Sequence, residues 1–131
     1  FVADFLGHSN FIAAVVEEKQ NKFVRVRLGD NSPCLVSPAG DFVAGDKAEI
    51  VIRAQKMTLG YKKELVQEEE MNYFFGEIVD RSYMGGEVSY FVELAQGQVL
   101  HVINFVKRSP YRRGDEVYIK VDPFHCRLLK P

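Results

Sequence analysis

GDEVYIKVDPFHCRL, Gly114 to Leu128, has a degenerate twin earlier in the chain: GDKAEIVIRAQKMTL, Gly45 to Leu59, at a constant offset of 69 positions (114 − 45) with no gap. Each copy opens on Gly-Asp, a turn signal, and then alternates. Ala48, Ile50 and Ile52 answer Val117, Ile119 and Val121, the inward positions of a half-buried strand. Lys47, Glu49, Glu116, Tyr118 and Lys120 fall between them and face outward, with Val51 the exception. After a short break, Arg53 to Lys56 against Asp122 to His125, a second apolar beat follows, Met57 and Leu59 against Cys126 and Leu128. The pattern is that of a tandem duplication of one small β unit.

The flanks repeat as well. Asn10 to Glu18, an asparagine, an apolar run and then acid, lines up with Asn72 to Asp80. Phe23 to Leu28 alternates and pairs with the run before it as a hairpin, as Val88 to Leu94 does after the turn at Gly85-Gly86. Cys34 to Ser37 and Val99 to Phe105 read as further strands. Val2, Phe5 and Leu6, spaced i, i+3, i+4 and stopped by Gly7, read as a short amino-terminal helical turn. Each half holds about five short strands with turn signals roughly every 8 to 12 residues, the pattern of an all-β, OB-like Greek-key barrel. The expected division is a first repeat over 1–59, a charged linker over 60–71 and a second repeat over 72–131, the halves sharing one compact domain.

Composition limits function. The chain has 131 residues, 47% of them hydrophobic, enough for one core. A net charge of −1 supplies no global attraction to nucleic acid or to an anionic membrane. No run approaches the about 18 apolar residues of a membrane span, so no direct membrane insertion is expected. Cys34 and Cys126, only two and far apart, are read as reduced thiols of a cytosolic protein. The abrupt start at Phe1 reads as a piece cut from something longer.

The chemistry of ATP hydrolysis has no seat in this sequence. It contains no Gly-x-x-x-x-Gly-Lys-[Ser/Thr] and no Gly-Lys pair, so the phosphate cradle and lysine of a P-loop are missing. His8, His101, His125, Cys34 and Cys126 lack the spacing of metal motifs. His125 and Cys126, adjacent on an expected strand, face opposite sides, and Cys126 shares its apolar position with Met57. No Ser, Cys or Thr sits in a strand-to-helix elbow. The expectation is no catalytic, cofactor or metal residue in this segment.

FVADFLGHSNF at the start, GDKAEIVIR, the N-x-F-x-G-E-I-V opening of the second half and GDEVYIKVDPFHCRLL at the close together resemble the C-terminal region of ABC-importer ATPase subunits. The resemblance is nearest to the spermidine/putrescine group, with ferric-iron and sugar importers as the alternative, and covers essentially the whole chain. It implies TOBE-type repeats on an OB-like barrel, appended to an ATPase domain that binds ATP and magnesium upstream. It also implies a second copy of the ATPase subunit and membrane-spanning importer subunits as partners, a place on the cytoplasmic face of the membrane, and a regulatory role through subunit contacts. One departure matters: where that family's first twin strand ends Arg-Pro-Glu, this chain reads Arg53-Ala54-Gln55.

Three groups of residues are candidates for contact. Tyr73, Phe74 and Phe75 place large apolar groups on successive strand positions, so at least one faces away from its own barrel; they are the expected subunit contact. Lys107, Arg108, Arg112 and Arg113, with Phe105 and Tyr111 beside them, form a basic loop fit for protein contact. A single-stranded nucleic-acid module is the rival from another class, opposed by Glu77, Asp80, Glu87 and Glu93 on neighbouring strands. Glu64, Glu68, Glu69 and Glu70 near those aromatics have the chemistry to sense a polyamine, through charge pairing beside cation-π faces.

Overall fold

The computed structural model describes residues 8–20, 22–37, 41–105 and 110–131, without the side chain of Met84. The expected helical turn at Val2, Phe5 and Leu6 lies outside them. Ten strands run in order: β1 Ser9–Lys19, β2 Val24–Leu28, β3 Pro33–Val36, β4 Lys47–Arg53, β5 Thr58–Tyr61, β6 Asn72–Met84, β7 Glu87–Leu94, β8 Val99–Phe105, β9 Glu116–Val121 and β10 Arg127–Leu129. Single 3-10 turns at Ala54–Lys56, Lys62–Glu64 and Pro123–His125 are the only helical elements among the described residues. The fold is all-β and OB-like.

The twins superpose element for element in sequence. Strand β4, the turn Ala54–Lys56 and β5 match β9, the turn Pro123–His125 and β10. Gly45 and Gly114 both take positive φ, 94° and 93°, a region that glycine enters without a Cβ penalty. Each Gly-Asp then locks to the strand that opens its repeat. The Gly45 N–H donates to the Val16 carbonyl (2.8 Å) and Val16 N–H to the Asp46 carbonyl (2.9 Å). Gly114 and Ile78 make the same pair with Asp115 (2.8 and 2.9 Å). Both opening strands bulge at that place, between Val16 and Glu18 and between Ile78 and Asp80, which bends each strand around its barrel.

The two antiparallel sheets do not coincide with the two repeats. One has the order β10-β4-β1-β2-β3, the other β5-β9-β6-β7-β8. The second beat of each twin therefore crosses over: β5 pairs with β9 and β10 with β4. The expected boundary after residue 59 falls inside β5, and the expected linker begins with two residues of a strand, Gly60 and Tyr61. The reason is the 3-10 turn, which carries the chain from the end of β4 or β9 onto the other sheet. His125 belongs to that turn and is exposed while Cys126 is buried, so the two do not alternate along a strand as expected.

One continuous cluster of buried side chains fills both barrels, from Ile12, Val26 and Ile50 to Ile78, Val102, Ile119 and Leu128. All four residues of the second apolar beat, Met57, Leu59, Cys126 and Leu128, are in it. Cys34 and Cys126 are both reduced and buried. Their mutual hydrogen bond, and then burial, pushes the Cys34 thiol well above its usual range, so both are core thiols.

Two buried asparagines close the barrels against each other. The Asn10 carboxamide donates to the His101 carbonyl (2.8 Å) and accepts from His101 N–H (2.7 Å) on the edge strand β8. Asn72 does the same to Leu35 on the edge strand β3, donating at 2.6 Å and accepting at 2.9 Å. A side chain thus satisfies a backbone donor and acceptor that a further strand would otherwise take. Asn10→Leu, which keeps the volume but orphans the His101 backbone groups, is expected to cost about 2–4 kcal/mol of unfolding free energy. Urea unfolding of the variant beside wild type checks this; a cost below about 0.5 kcal/mol, the usual surface range, contradicts it.

Candidate functional site

The tripeptide His8-Ser9-Asn10 lies at the junction of the two barrels and reaches three places. The His8 carbonyl accepts from Ala54 N–H (2.7 Å) and so anchors the first 3-10 turn. Asn10 holds β8. Ser9, between them, lines a concavity of about 510 Å³ together with Val51, Arg53, Lys56, Phe124, His125, Arg127 and Leu129. The walls come from both twins, because β10 lies beside β4 with Arg127 opposite Val51. The floor is apolar, with Val51 on the outer face of β4, Leu129, and Phe124 edge-on to Phe23 at 5.0 Å between ring centroids. The rim carries three permanent cations. Among the described residues, no carboxylate lies within ion-pair distance of Arg53, Lys56 or Arg127.

The sequence offered two signals of this surface, Val51 as an apolar residue at an outward position and Arg53 as the retained residue of the family pattern. Arg127 and Phe124, some seventy positions on, could join them only through the strand exchange.

The aromatics of the second half divide by strand parity. Phe74 points into the core, with 6% of its surface exposed, so it is not available for subunit contact. Tyr73 is half-buried beside Tyr118, and its hydroxyl accepts from Glu68 N–H (2.7 Å). Phe75 is exposed, with the Lys62 ammonium over its ring at 5.9 Å. Two of the four candidate acids already hold lysines: Glu68 pairs with Lys120 at 2.5 Å and Glu70 with Lys22 at 3.9 Å. The segment Glu68–Glu70 is thereby tied to β9 and to the β1–β2 turn. Glu64, in its 3-10 turn, and Glu69 are exposed.

Lys107 and Arg108 lie outside the described residues. Arg112 and Arg113 are exposed on a turn fixed by Tyr111, which is buried. The Tyr111 hydroxyl donates to the Leu59 carbonyl (3.0 Å), its own carbonyl accepts from Arg81 (2.7 Å), and burial pushes its pKa up to about 12. No group of three or more His, Cys, Asp or Glu side chains among the described residues is placed to hold a metal. No described helix is long and apolar enough to cross a membrane.

Comparison with known proteins adds the following. The sequence profile of the TOBE domain matches residues 50–129. The spermidine/putrescine import ATP-binding protein PotA of Thermotoga maritima is 27% identical over 128 residues, 94% of this chain and 34% of that protein. The PotA of Rubrobacter xylanophilus is 27% identical over 133 residues, 98% of this chain and 33% of that protein. The chain thus spans about a third of the length of these curated relatives. Among solved structures, the cytoplasmic molybdate-binding protein ModG, crystallised with molybdate bound, matches with a TM-score of 0.84 at 12% identity, over 95% of this chain and 98% of that one. At that identity the likeness concerns the fold.

His101 ties the junction to pH. Its ring stacks on Phe91 (4.7 Å, 15°), meets His8 edge-on at 5.0 Å, and its Nε2 lies 2.9 Å from the Ser89 hydroxyl. Burial first, and then the neighbouring His8, lowers its pKa from the ordinary 6.5. A depressed histidine binds its proton more weakly folded than unfolded, so its contribution is complete above the unfolded pKa and is lost as pH falls through the folded one. Unfolding free energy from urea titrations is therefore expected to drop as pH falls below the ordinary 6.5, and less so in His101→Phe, which keeps the stack without titrating. Equal slopes in the two proteins contradict this.

Proposed function

The chain belongs to the TOBE domain family, and on that premise we propose that it is the accessory and regulatory C-terminal part of the ATP-binding subunit of an ABC importer, with a polyamine as the transported substrate. The observation that carries the reading is the extent of the similarity: spermidine/putrescine import ATP-binding proteins align along 94% and 98% of the chain, through both barrels. In this reading ATP and magnesium bind in a domain upstream of the segment, the partners are a second ATPase subunit and the membrane-spanning subunits, and the site of action is the cytoplasmic face of the membrane. The segment contributes contact rather than catalysis. Two barrels that exchange strands and clasp each other form a stiff body, suited to bracing one subunit against another. Its exposed cations, Arg112 and Arg113 among them, supply charged contact points.

The reading is tested upstream. The preceding few hundred residues of the coding sequence are expected to contain Gly-x-x-x-x-Gly-Lys-[Ser/Thr]; a coding sequence without it removes the importer assignment. In the isolated chain, no ATP turnover and no ATP-dependent rise in melting temperature are expected, because a ligand stabilises a fold only by binding it. Nucleotide binding at micromolar affinity by the isolated chain contradicts the placement of ATP chemistry elsewhere. Deleting the segment from the full-length subunit is expected to leave nucleotide binding in place while changing the coupling of hydrolysis to uptake.

A further inference from the structure

We propose that this chain carries two complementary halves of a self-contact, in which the basic concavity of one copy receives an acidic row on another. The acidic half lies on the outer face of the second sheet. Glu77 sits directly opposite Glu116 on β9 and directly opposite Glu93 on β7, so three carboxylates stand in line across three adjacent strands. On β8 the row continues as Val99, opposite Glu93 and exposed. Phe75, exposed two residues before Glu77, forms the apolar edge.

Like charges directly opposite in a sheet repel and destabilise it. None of the three glutamates has a basic group within ion-pair distance among the described residues. Lys62 shares their surface hollow but sits over the Phe75 ring. With that lysine the acidic face carries a net charge of −2.

The basic half is the mirror case: Arg53, Lys56 and Arg127 around an apolar floor, with no acid among the described residues that line it. Each face is therefore self-repelling, carries an exposed apolar residue (Phe124 and Leu129 on one, Phe75 and Val99 on the other), and holds what the other lacks. Three cations meet three carboxylates around an apolar contact, the layout of a protein interface with a charged rim. A phosphate backbone is disfavoured as the occupant of the concavity, since the chain as a whole is weakly acidic and a strand of nucleic acid needs a continuous basic groove. The proposal names a contact for the second subunit of the importer reading but uses only residues of this chain.

Sedimentation velocity of the 131-residue chain over a concentration series decides it. Wild type is expected to self-associate at low ionic strength, with affinity falling at least about tenfold toward 0.5 M salt as the charge pairs are screened. Arg53→Glu/Arg127→Glu, whose two faces are both acidic, and Glu77→Lys/Glu93→Lys, whose two faces are both basic, are each expected to stay monomeric. Mixed together, they are expected to associate again, since each then offers the face the other needs. All four positions are exposed, and a far-UV spectrum and urea midpoint matching wild type confirm folding. A wild type monomeric at low salt, variants that associate as wild type does, or a mixture that fails to associate overturns the proposal. None of these outcomes touches the upstream-sequence test, so failure here leaves the importer reading standing.

Discussion

Two carboxamides hold this structure together in the place of strands. Asn10 and Asn72 each lie on the opening strand of a repeat and hydrogen-bond both backbone groups of a residue on the other barrel's edge strand, His101 and Leu35. An edge strand presents donors and acceptors that water or a further strand must satisfy. Here the two carboxamides, themselves buried, take that role. Each carboxamide nitrogen also meets sulfur at equivalent positions, Met57 Sδ at 3.7 Å for Asn10, which donates to the Ile52 carbonyl at 3.4 Å as well, and Cys126 Sγ at 3.4 Å for Asn72. No buried side-chain polar atom among the described residues is left unpartnered.

The common frame makes the differences between the halves informative. On the second sheet, Tyr118 lies across Gly60, where an added Cβ would sit 2.2 Å from the ring, and Tyr73 and the Glu68–Lys120 pair cover the adjoining surface. At the equivalent places on the first sheet stand Glu49 and Leu129, 69 positions away in each case (118 − 49 and 129 − 60). Leu129 is exposed there and lines the basic concavity together with Phe124. A duplicated backbone has thus kept its interior and clasps while its outer faces diverged, one toward closure and one toward exposure.

The alternation of the twins made the strands legible, because an inward face must be apolar at every second residue whatever the partner. The Gly-Asp turns were equally plain, since a positive φ at Gly45 and Gly114 limits the residue that can stand there. The recurrence of Asn10 and Asn72 was visible as a marker of strand starts, but not its purpose. A side chain bonding to a backbone 91 residues away, as Asn10 does to His101, leaves no periodic trace. Parity explains the residue that was misplaced among the contact candidates. With Asn72 inward, Phe74 and Ile78 follow it inward, and Tyr73 and Phe75 are left outside. Strand exchange was hidden for a different reason: β5 and β10 look identical in sequence whether they pair within their own repeat or across.

That exchange also shapes how the molecule responds to force. Neither sheet has five strands until the other repeat has delivered its last one, so the two barrels gain most of their pairing together, and partial opening of one removes an edge from the other. Loop closure over such sequence distances is costly and gives little return until both crossings are made. The two barrels are therefore expected to open together across the junction, with Asn10, Asn72 and the His101 stack at its centre. A load applied to one barrel passes to the other through β5, β10 and the clasps rather than through a flexible linker. Stiffness of this kind arises from topology and a few buried polar bonds, which is why it can persist while the surfaces around it change.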